Sequence, residues 1–362
     1  MSENICLLII NPGSTSTKLS IFENGKETYR KNLSHSAGEL AQYKKASDQA
    51  PFRQKAVEAF LREINFDMTR LTAIVARGGS LPPIHTGAYQ INEEMIDVLQ
   101  NRPSGQHAST TAAIIAYDLS RHLQIPAYIY DGNTADEMDP VARISGCPLV
   151  RRLSMGHILN TKAVARMYAD NIGKPYQELT LIMVHLGGGI SIGLHKNGVI
   201  SDILPDEEGT LSPERSGGLP SIGWAAVCCS GKYSFDELSA MVRGKGGLTA
   251  YLGTNDVREV EARIAAGDEY AVLIYRAMIY QIAKGIGSLA AAANGKIDAI
   301  VLTGGIAHSR TLTQHLTEKV RFIADVAVIP GEFEMEALAA GVTRVLRGEE
   351  QARVYHENEV IQ

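Results

Sequence analysis

The run Ile9-Ile10-Asn11-Pro12-Gly13-Ser14-Thr15-Ser16-Thr17-Lys18-Leu19-Ser20 decides how the rest of this chain is read. Apolar residues from Ile5 to Ile10 stop at a loop of glycine and hydroxyl side chains, and an alternating run from Lys18 to Phe22 follows. That order predicts strand, tight turn, strand, with a hairpin closed at Asn24-Gly25. The turn collects backbone N–H groups, the hydroxyls of Ser14, Thr15, Ser16 and Thr17, and the ammonium of Lys18. Such groups match the oxygens of a phosphoryl group. A polar hairpin with no ligand would use the same residue types.

The second half repeats the pattern. Leu181-Ile182-Met183-Val184-His185-Leu186 stops at Gly187-Gly188-Gly189, continues as Ile190-Ser191-Ile192-Gly193-Leu194-His195, and turns at Asn197-Gly198. Gly13 to Asn24 spans eleven positions and Gly187 to Asn197 ten. So close an echo predicts a duplicated unit. Two such units can face each other across a cleft, each presenting a phosphate-binding turn.

A chain of 362 residues has room for two domains. A net charge of -5 offers no bulk attraction to nucleic acid or to an anionic membrane, and no basic run is present. Cys6, Cys147, Cys228 and Cys229 form no Cys-x-x-Cys and are expected to be reduced, mostly buried thiols. The N-terminus lacks a basic region ahead of Ile5–Ile10, which is too short for a signal core. No apolar run reaches the ~18 residues of a membrane span. The expected location is the cytoplasm.

The first meander ends near residue 33. Residues 36–66 are expected to be helical, with Ala56, Val57, Phe60 and Leu61 on one side. Leu71–Ala76 predicts a strand ending in Arg77-Gly78-Gly79. Ser104–His122 predicts a helix, and Pro126–Tyr130 a strand ending at Asp131. Further helices are predicted at 151–167, 236–242, 256–265, 269–293 and 336–346, and strands at 298–302 and 324–329. Residues 206–223 form a long loop rich in Gly, Pro and Ser, of the kind that is often functional. Alternating strands and helices place the chain in the α/β class.

Four small-residue turns follow predicted strands: 11–18, 77–79, 187–191 and 303–309. Ligands of open α/β sheets gather at the carboxyl ends of strands, and glycine lets the backbone approach a phosphate chain or a base. Several chemistries lack their motifs. No Walker A loop, no Gly-x-Gly-x-x-Gly after a strand, no His-Glu-x-x-His, no Cys/His metal spacing and no Gly-x-Ser-x-Gly occurs.

The chain resembles the acetokinase family of the actin-like and sugar-kinase-like ATPases, through pieces that run in order along almost its whole length. They include Asn11-Pro12-Gly13-Ser14-Thr15-Ser16-Thr17-Lys18, Ala76-Arg77-Gly78-Gly79, Gly105-Gln106-His107-Ala108-Ser109 and Tyr130-Asp131. In the second half they are His185-Leu186-Gly187-Gly188-Gly189-Ile190-Ser191, Ser212-Pro213-Glu214-Arg215-Ser216-Gly217, Leu302-Thr303-Gly304-Gly305-Ile306-Ala307 and Pro330-Gly331-Glu332.

The resemblance implies two ribonuclease-H-like domains with a nucleotide cleft between them. Residues 1–152 with the C-terminal helix 335–362 form the carboxylate side, and 153–334 the nucleotide side. It implies ATP/ADP and Mg²⁺ as cofactors, reversible in-line phosphoryl transfer to a short-chain carboxylate, butyrate first among them, and a homo-oligomer of at least two chains. A branched-chain acid or propionate is the alternative substrate. A chaperone or regulatory ATPase is the alternative class, but no peptide-binding or DNA-binding module accompanies the core.

Individual residues then take expected roles. Arg77 and Arg215 screen the two anions. Asp131 holds water to the metal, or forms an Asx-turn. His107 orients a phosphoryl oxygen, or caps a helix. Asn11 and Glu334 (or Glu336) serve the metal. Asn11, Ser14, Ser16, Lys18, His185, Gly187, Gly188, Gly189, Gly304, Gly305 and Ala307 hold the nucleotide and its phosphates. Three features depart from the acetate kinase pattern. Gly188 stands where that pattern has asparagine, Arg77 where it has histidine, and Thr161 where it has the second of two histidines. The first of those histidines is matched by His157, whose role stays open.

Overall fold

Strand β1 (Cys6–Pro12) is buried at all seven positions, as expected for a central strand covered on both faces. The computed structural model describes residues 4–105 and 107–359. Gln106, in the middle of the Gly105–Ser109 motif, lies outside the described residues.

After β1 come β2 (Ser16–Glu23), β3 (Lys26–Ser34), α1 (Ala37–Ala41), α2 (Ala50–Glu63), β4 (Ala73–Arg77), β5 (Ala88–Gln90), α3 (Glu93–Asn101), α4 (Thr110–Leu123) and β6 (Ala127–Tyr130). Next are α5 (Ile158–Asn171), β7 (Thr180–Leu186), β8 (Ile190–Lys196), β9 (Val199–Leu204), α6 (Ser221–Cys228), α7 (Phe235–Val242) and α8 (Gly247–Leu252). The chain closes with α9 (Val257–Ala265), α10 (Glu269–Ala292), β10 (Ala299–Thr303), α11 (Arg310–Val320), β11 (Val326–Val328), α12 (Glu334–Leu346) and β12 (Arg353–Val354).

The chain divides into two compact units, Met1–Asp136 with Phe333–Gln362, and Glu137–Glu332. In the first, the strand order is β12-β5-β6-β4-β1-β2-β3. β1 is antiparallel to β2 and parallel to β4, which is parallel to β6. Leu8 and Ile10 join Phe60, Ile74 and Ile115 in the core under α2 and α4. Leu7 and Ile9 point the other way by strand alternation, toward the face where α12 packs.

The second unit has the order β11-β10-β7-β8-β9. β7 is antiparallel to β8 and parallel to β10, which is parallel to β11. Ile182, Val184 and Leu186 face the core built by α10, and α5 packs on the opposite face. The duplication extends to detail. Both hairpins turn on a left-handed Asn-Gly pair, Asn24 and Gly25 at φ 52° and 82°, Asn197 and Gly198 at φ 53° and 81°. Both second strands also shift register, at Ile21/Phe22 and at Leu194/His195.

Several expectations need correction. Residues 137–152 bond within the second unit: Asp139 N–H donates to Ser201 O (2.8 Å), and Arg152 donates to Asp202 (3.1 Å) and to Ile203 O (2.6 Å). The chain crosses at 137 and returns at 333, not at 153 and 335. The 36–66 helix is two helices, because Ser36 caps α1 in a capping box and Pro51 opens α2. The 151–167 helix begins only at Ile158. α3, α6, α8 and α11 were not anticipated. All four cysteines are free, but only Cys6 is buried. Cys228 and Cys229 lie at the end of α6, which buries none of its residues.

Close packing sets α12. A Cβ at Gly341 would stand 2.5 Å from the Tyr130 ring, so α12 lies directly on β6. Gly341→Ala should therefore destabilise, because an overpacking cost of about 1–3 kcal/mol exceeds a helix-propensity gain of about 1 kcal/mol. Gly287→Ala in α10, where a Cβ meets nothing within 4 Å, should gain stability instead. Urea titration of both variants checks this; equal shifts would show that α12 can move off Tyr130.

Candidate active site

In the first unit, three side chains meet where β1 and β4 end. β1 alternation puts Asn11 on the α12 side, and Arg77 ends β4 one step past the partnered pair Ile10 and Ala76. Glu334 is the first residue of α12. Its Oε2 accepts from Asn11 Nδ2 at 2.8 Å, and its Oε1 pairs with Arg77 Nη1. Burial alone would raise the Glu334 pKa, but Arg77, Asn11 and Lys18 outweigh it and hold the carboxyl at about 2. Lys18 reaches this group from β2, where it faces Asn11. Arg77 is 13% exposed, and its Nε has no hydrogen-bond partner among the described residues.

Glycine at 78 and 79 serves packing. A Cβ on Gly78 would meet Gly132 Cα at 2.7 Å, and one on Gly79 would meet Thr110 Cα at 2.8 Å. With its amide reoriented, Asn133 donates to Gly78 O (3.1 Å) and Gly79 O (2.9 Å). Asp131 is buried at φ 41°, and its Oδ1 accepts from Gly87 N–H at 2.8 Å. His107 is exposed; its Nδ1 accepts from Ser109 N–H at 3.2 Å, just ahead of α4. Ser14 is exposed in the β1–β2 turn, while Ser16 is half-buried and its carbonyl accepts from Gly13 N–H at 2.9 Å.

The second unit carries the equivalent positions. β7 alternation puts His185 on the α5 side, where its Nδ1 lies 3.0 Å from Asn160 Nδ2 and its ring stacks on His157 at 3.7 Å. His157 Nδ1 lies 3.0 Å from Ser191 Oγ, and Asn160 also reaches Thr303 Oγ1 at 3.5 Å. Over the glycine turn lies the 206–215 loop. Glu214 N–H and Ser212 Oγ both donate to Gly188 O at 2.9 Å. A Cβ on Gly188 would stand 3.1 Å from the Glu214 carboxylate, and one on Gly189 would stand 2.9 Å from Asp206 Cβ. The asparagine missing at 188 thus has its space taken by Glu214, whose Oε1 accepts from Asn255 at 2.6 Å. Arg215 lies between Asp206 (3.2 Å) and Glu214 (3.4 Å), and its buried Nε also lacks a hydrogen-bond partner among the described residues.

Thr303-Gly304-Gly305 ends β10. Gly304, at φ 91°, exchanges two backbone hydrogen bonds with Gly331, and a Cβ there would collide with the Leu186 backbone. At Gly305 a Cβ meets nothing within 4 Å, so this glycine faces open space. Ala307 is buried in the core of the unit.

The arrangement therefore groups Asn11, Lys18, Arg77 and Glu334 in one unit, and His185, Gly187–Gly189 and Arg215 in the other. Sequence reasoning missed Arg53, Asn160, Ser191, Asp206 and Asn255. Asn160 and Ser191 lie at helical and strand positions adjoining recognised motifs, which was the available signal.

Comparison with known proteins follows this geometry. Residues 139–328 match the sequence model of the Acetokinase family. A "Probable butyrate kinase" of Clostridium botulinum (strain Alaska E43 / Type E3) is 48% identical over 96% of this chain and 99% of its own length. "Butyrate kinase 2" of Clostridium acetobutylicum is 47% identical over 96% of this chain and 99% of its own. Among solved structures, Porphyromonas gingivalis acetate kinase superposes with a TM-score of 0.75 at 20% identity, covering 94% of this chain and 99% of that one. A propionate kinase from Francisella tularensis gives 0.72 at 21% identity, covering 92% and 98%. These likenesses establish the fold, two α/β units of the ribonuclease-H-like, actin-like ATPase kind.

The Glu334 pair makes a pH-dependent contribution with a definite sign. Its folded pKa is depressed from 4.5 to about 2, so the contribution is complete above the ordinary carboxylate range and is lost as pH falls toward 2. Glu334→Gln leaves Arg77 buried without its partner and should cost about 3–5 kcal/mol at neutral pH. Urea titrations of both proteins at intervals from pH 7 to 3 should show a constant gap above about pH 5 that narrows below it. A gap that stays constant down to pH 3 would contradict the ion pair.

Proposed function

This chain belongs to the acetokinase family, and we propose that within it the protein transfers the γ-phosphoryl group of ATP to butyrate, reversibly, giving butyryl phosphate and ADP. The near-full-length identity to butyrate kinases supports the acceptor. The observation that carries the chemistry is the pair of half-buried arginines, Arg77 in one unit and Arg215 in the other. Each is charge-compensated by a carboxylate; Arg77 keeps an Nε–H with no hydrogen-bond partner among the described residues, while Arg215 Nε faces Asp206 at 3.2 Å.

A carboxylate is already a nucleophile at neutral pH. One butyrate oxygen attacks the γ-phosphorus, the new O–P bond forms as the P–O bond to ADP breaks in line, and no general base is needed. The barrier lies in bringing two anions together. Arg77 donates to the incoming carboxylate and Arg215 to the transferring phosphoryl oxygens, charge-assisted contacts that strengthen as the anions approach. The turns at 14–16 and 187–189, with Lys18, Ser14, Ser16 and His185, hold phosphate oxygens. Stacked on His185, His157 orients that ring. Asp131 has a carboxylate oxygen committed to Gly87 N–H, which suits it to orienting water better than to taking a proton. His107 serves chiefly as a cap ahead of α4.

The first unit is the carboxylate side and the second the nucleotide side, where Gly305 leaves room for the adenosine. The Asn11 amide oxygen and the ionised Glu334 are hard oxygen donors that would hold an Mg²⁺ ion. Among the described residues no group of three His, Cys, Asp or Glu side chains could cage a metal. When bound, the ion neutralises charge on the phosphate oxygens. We place the protein in the cytoplasm as a homo-oligomer of at least two chains. None of the described helices is long and apolar enough to cross a membrane. The apolar helix α6 leaves Ile222 86% exposed, which supports a partner surface.

Hydroxamate trapping of acyl phosphate with acetate, propionate, butyrate, isobutyrate and hexanoate, together with coupled detection of ADP for these acids and for glucose, tests this reading. kcat/KM should rise from acetate to butyrate, by roughly 10–200-fold per buried methylene at most, then fall. A maximum at acetate would overturn the butyrate assignment, and product from glucose alone would overturn the carboxylate acceptor.

The two glycines after β10 should separate. Gly305→Val should weaken ATP binding in calorimetry with little change in melting temperature, because its Cβ enters open space. Gly304→Val should lower the melting temperature, because its Cβ meets Leu186. Unchanged ATP affinity in a folded Gly305→Val protein would move the nucleotide elsewhere.

A further inference from the structure

Among the described residues Arg53 is the largest fully buried side chain, at 0% exposure. It projects from α2 into the underside of the β1–β2 turn. Its Nη1 donates to Ser16 O (2.7 Å) and Thr17 Oγ1 (3.0 Å), and its Nη2 to Ser14 O (3.2 Å) and Gln49 Oε1 (3.0 Å). Its Nε donates to Gln49 Oε1 at 3.1 Å. All five N–H donors are thereby engaged. Every acceptor is neutral, and Arg53 forms no ion pair among the described residues.

A buried charge normally has a partner of opposite sign, because leaving water without one is costly. The other buried or half-buried arginines described above, Arg77, Arg152 and Arg215, each have a carboxylate. Arg53 has carbonyls, a hydroxyl and an amide instead. The charge is felt locally. His35, whose Nε2 lies 2.8 Å from Thr17 Oγ1, has its pKa lowered first by burial and then by Arg53, with Glu39 opposing.

We propose that Arg53 is the positioning residue of the phosphate-binding turn. Its fork fixes the carbonyls of Ser14 and Ser16 inward, and its uncompensated charge beneath the turn is answered by the phosphoryl group that docks above. With those carbonyls turned toward Arg53, Gly13 N–H bonded to Ser16 O and the buried Thr17 hydroxyl bonded to Arg53, the exposed Ser14 and Thr15 are left to face the ligand. The charge biases the site toward anions without occupying it. This inference rests on the proposed reading, in which the turn at 13–18 receives a phosphoryl group.

A merely structural Arg53 and a charge-supplying one respond differently to Gln49→Glu. That variant keeps the acceptor for Nε and Nη2, adds a counter-ion, and so preserves or raises stability while cancelling the charge. Arg53→Lys keeps the charge and loses the fork; Arg53→Met loses both. The readouts are melting temperature, kcat and KM for MgATP with butyrate, and the affinity for inorganic phosphate by calorimetry. Gln49→Glu should weaken phosphate binding and raise the ATP KM roughly tenfold at unchanged or higher melting temperature, an effect of one unit charge. Arg53→Lys should restore phosphate affinity relative to Arg53→Met while kcat stays depressed by about 100-fold, the cost of a turn about 1 Å out of place.

Wild-type kinetics and phosphate affinity in Gln49→Glu would overturn the proposal, whatever Arg53→Met does to folding. A wild type that binds phosphate but forms no butyryl phosphate would fail the functional reading alone. A wild type that binds no phosphate would overturn both.

Discussion

The contact between Glu334 and Arg77 is the constraint from which the first unit's site follows. It joins residues 257 positions apart, the end of β4 and the start of α12. Without it, α12 would still be drawn to the sheet by the apolar face that packs on β1, β4 and β6. The ion pair sets where along that face the helix begins. Once Glu334 is fixed, Asn11 is oriented by donating to it, and Arg77 is turned so that its Nε–H remains unused. A carboxylate held ionised this firmly supplies constant charge through the working pH range.

The second unit builds the same three positions from a histidine, a threonine and an asparagine. His185 is the penultimate residue of its first strand, Thr303 ends the parallel neighbour, and Asn160 sits in the first turn of the covering helix. Hydrogen bonds replace the ion pair, and the charge enters through the 206–215 loop, where Arg215 is caught between Asp206 and Glu214. One duplicated frame thus carries two electrostatic solutions. In the first unit the arginine belongs to the sheet; in the second it belongs to a loop. A loop arginine held by two acidic side chains can exchange them for a stronger anion at lower cost than a strand residue could.

Much of this was legible in the sequence, because the decisive signals were local. Two apolar runs, each ending in small residues and followed by an alternating strand and Asn-Gly, predicted both meanders; the structure has both and adds a register shift in each, which the sequence did not announce. Arg77 was visible as a charge beside glycine, Glu334 as an acid at a helix start and Arg215 as a charge in a long loop. What could not be read was long-range. Nothing in the α2 sequence distinguishes Arg53 from a solvated helix residue, since its partners lie 36, 37 and 39 positions away in another element. The crossing points were misplaced for a related reason. Residues 137–152 have little regular structure, so no periodicity marked which unit they bond to. Glycines were read as ligand-facing by type alone, whereas Gly78, Gly79, Gly188, Gly189 and Gly304 are small because protein atoms lie against them.

That last distinction bears on how such a site separates stability from specificity. A glycine pressed against backbone or carboxylate, such as Gly189 under Asp206, tolerates no side chain whatever the ligand, so it follows the fold. A glycine with empty space at its Cβ, such as Gly305, is under no such demand from the protein. Its missing side chain matters only when something else fills the space. The same reasoning separates the arginines. Arg152, paired with Asp202 and Glu208, is satisfied by its own unit. Arg77 is neutralised yet keeps a donor in reserve, Arg215 is held by two carboxylates, and Arg53 has every donor in use yet no counter-charge. Free hydrogen-bonding capacity and free charge are distributed over different residues. Within the first unit, an anion at the β1–β2 turn would therefore meet a directional contact from Arg77 and a field from Arg53.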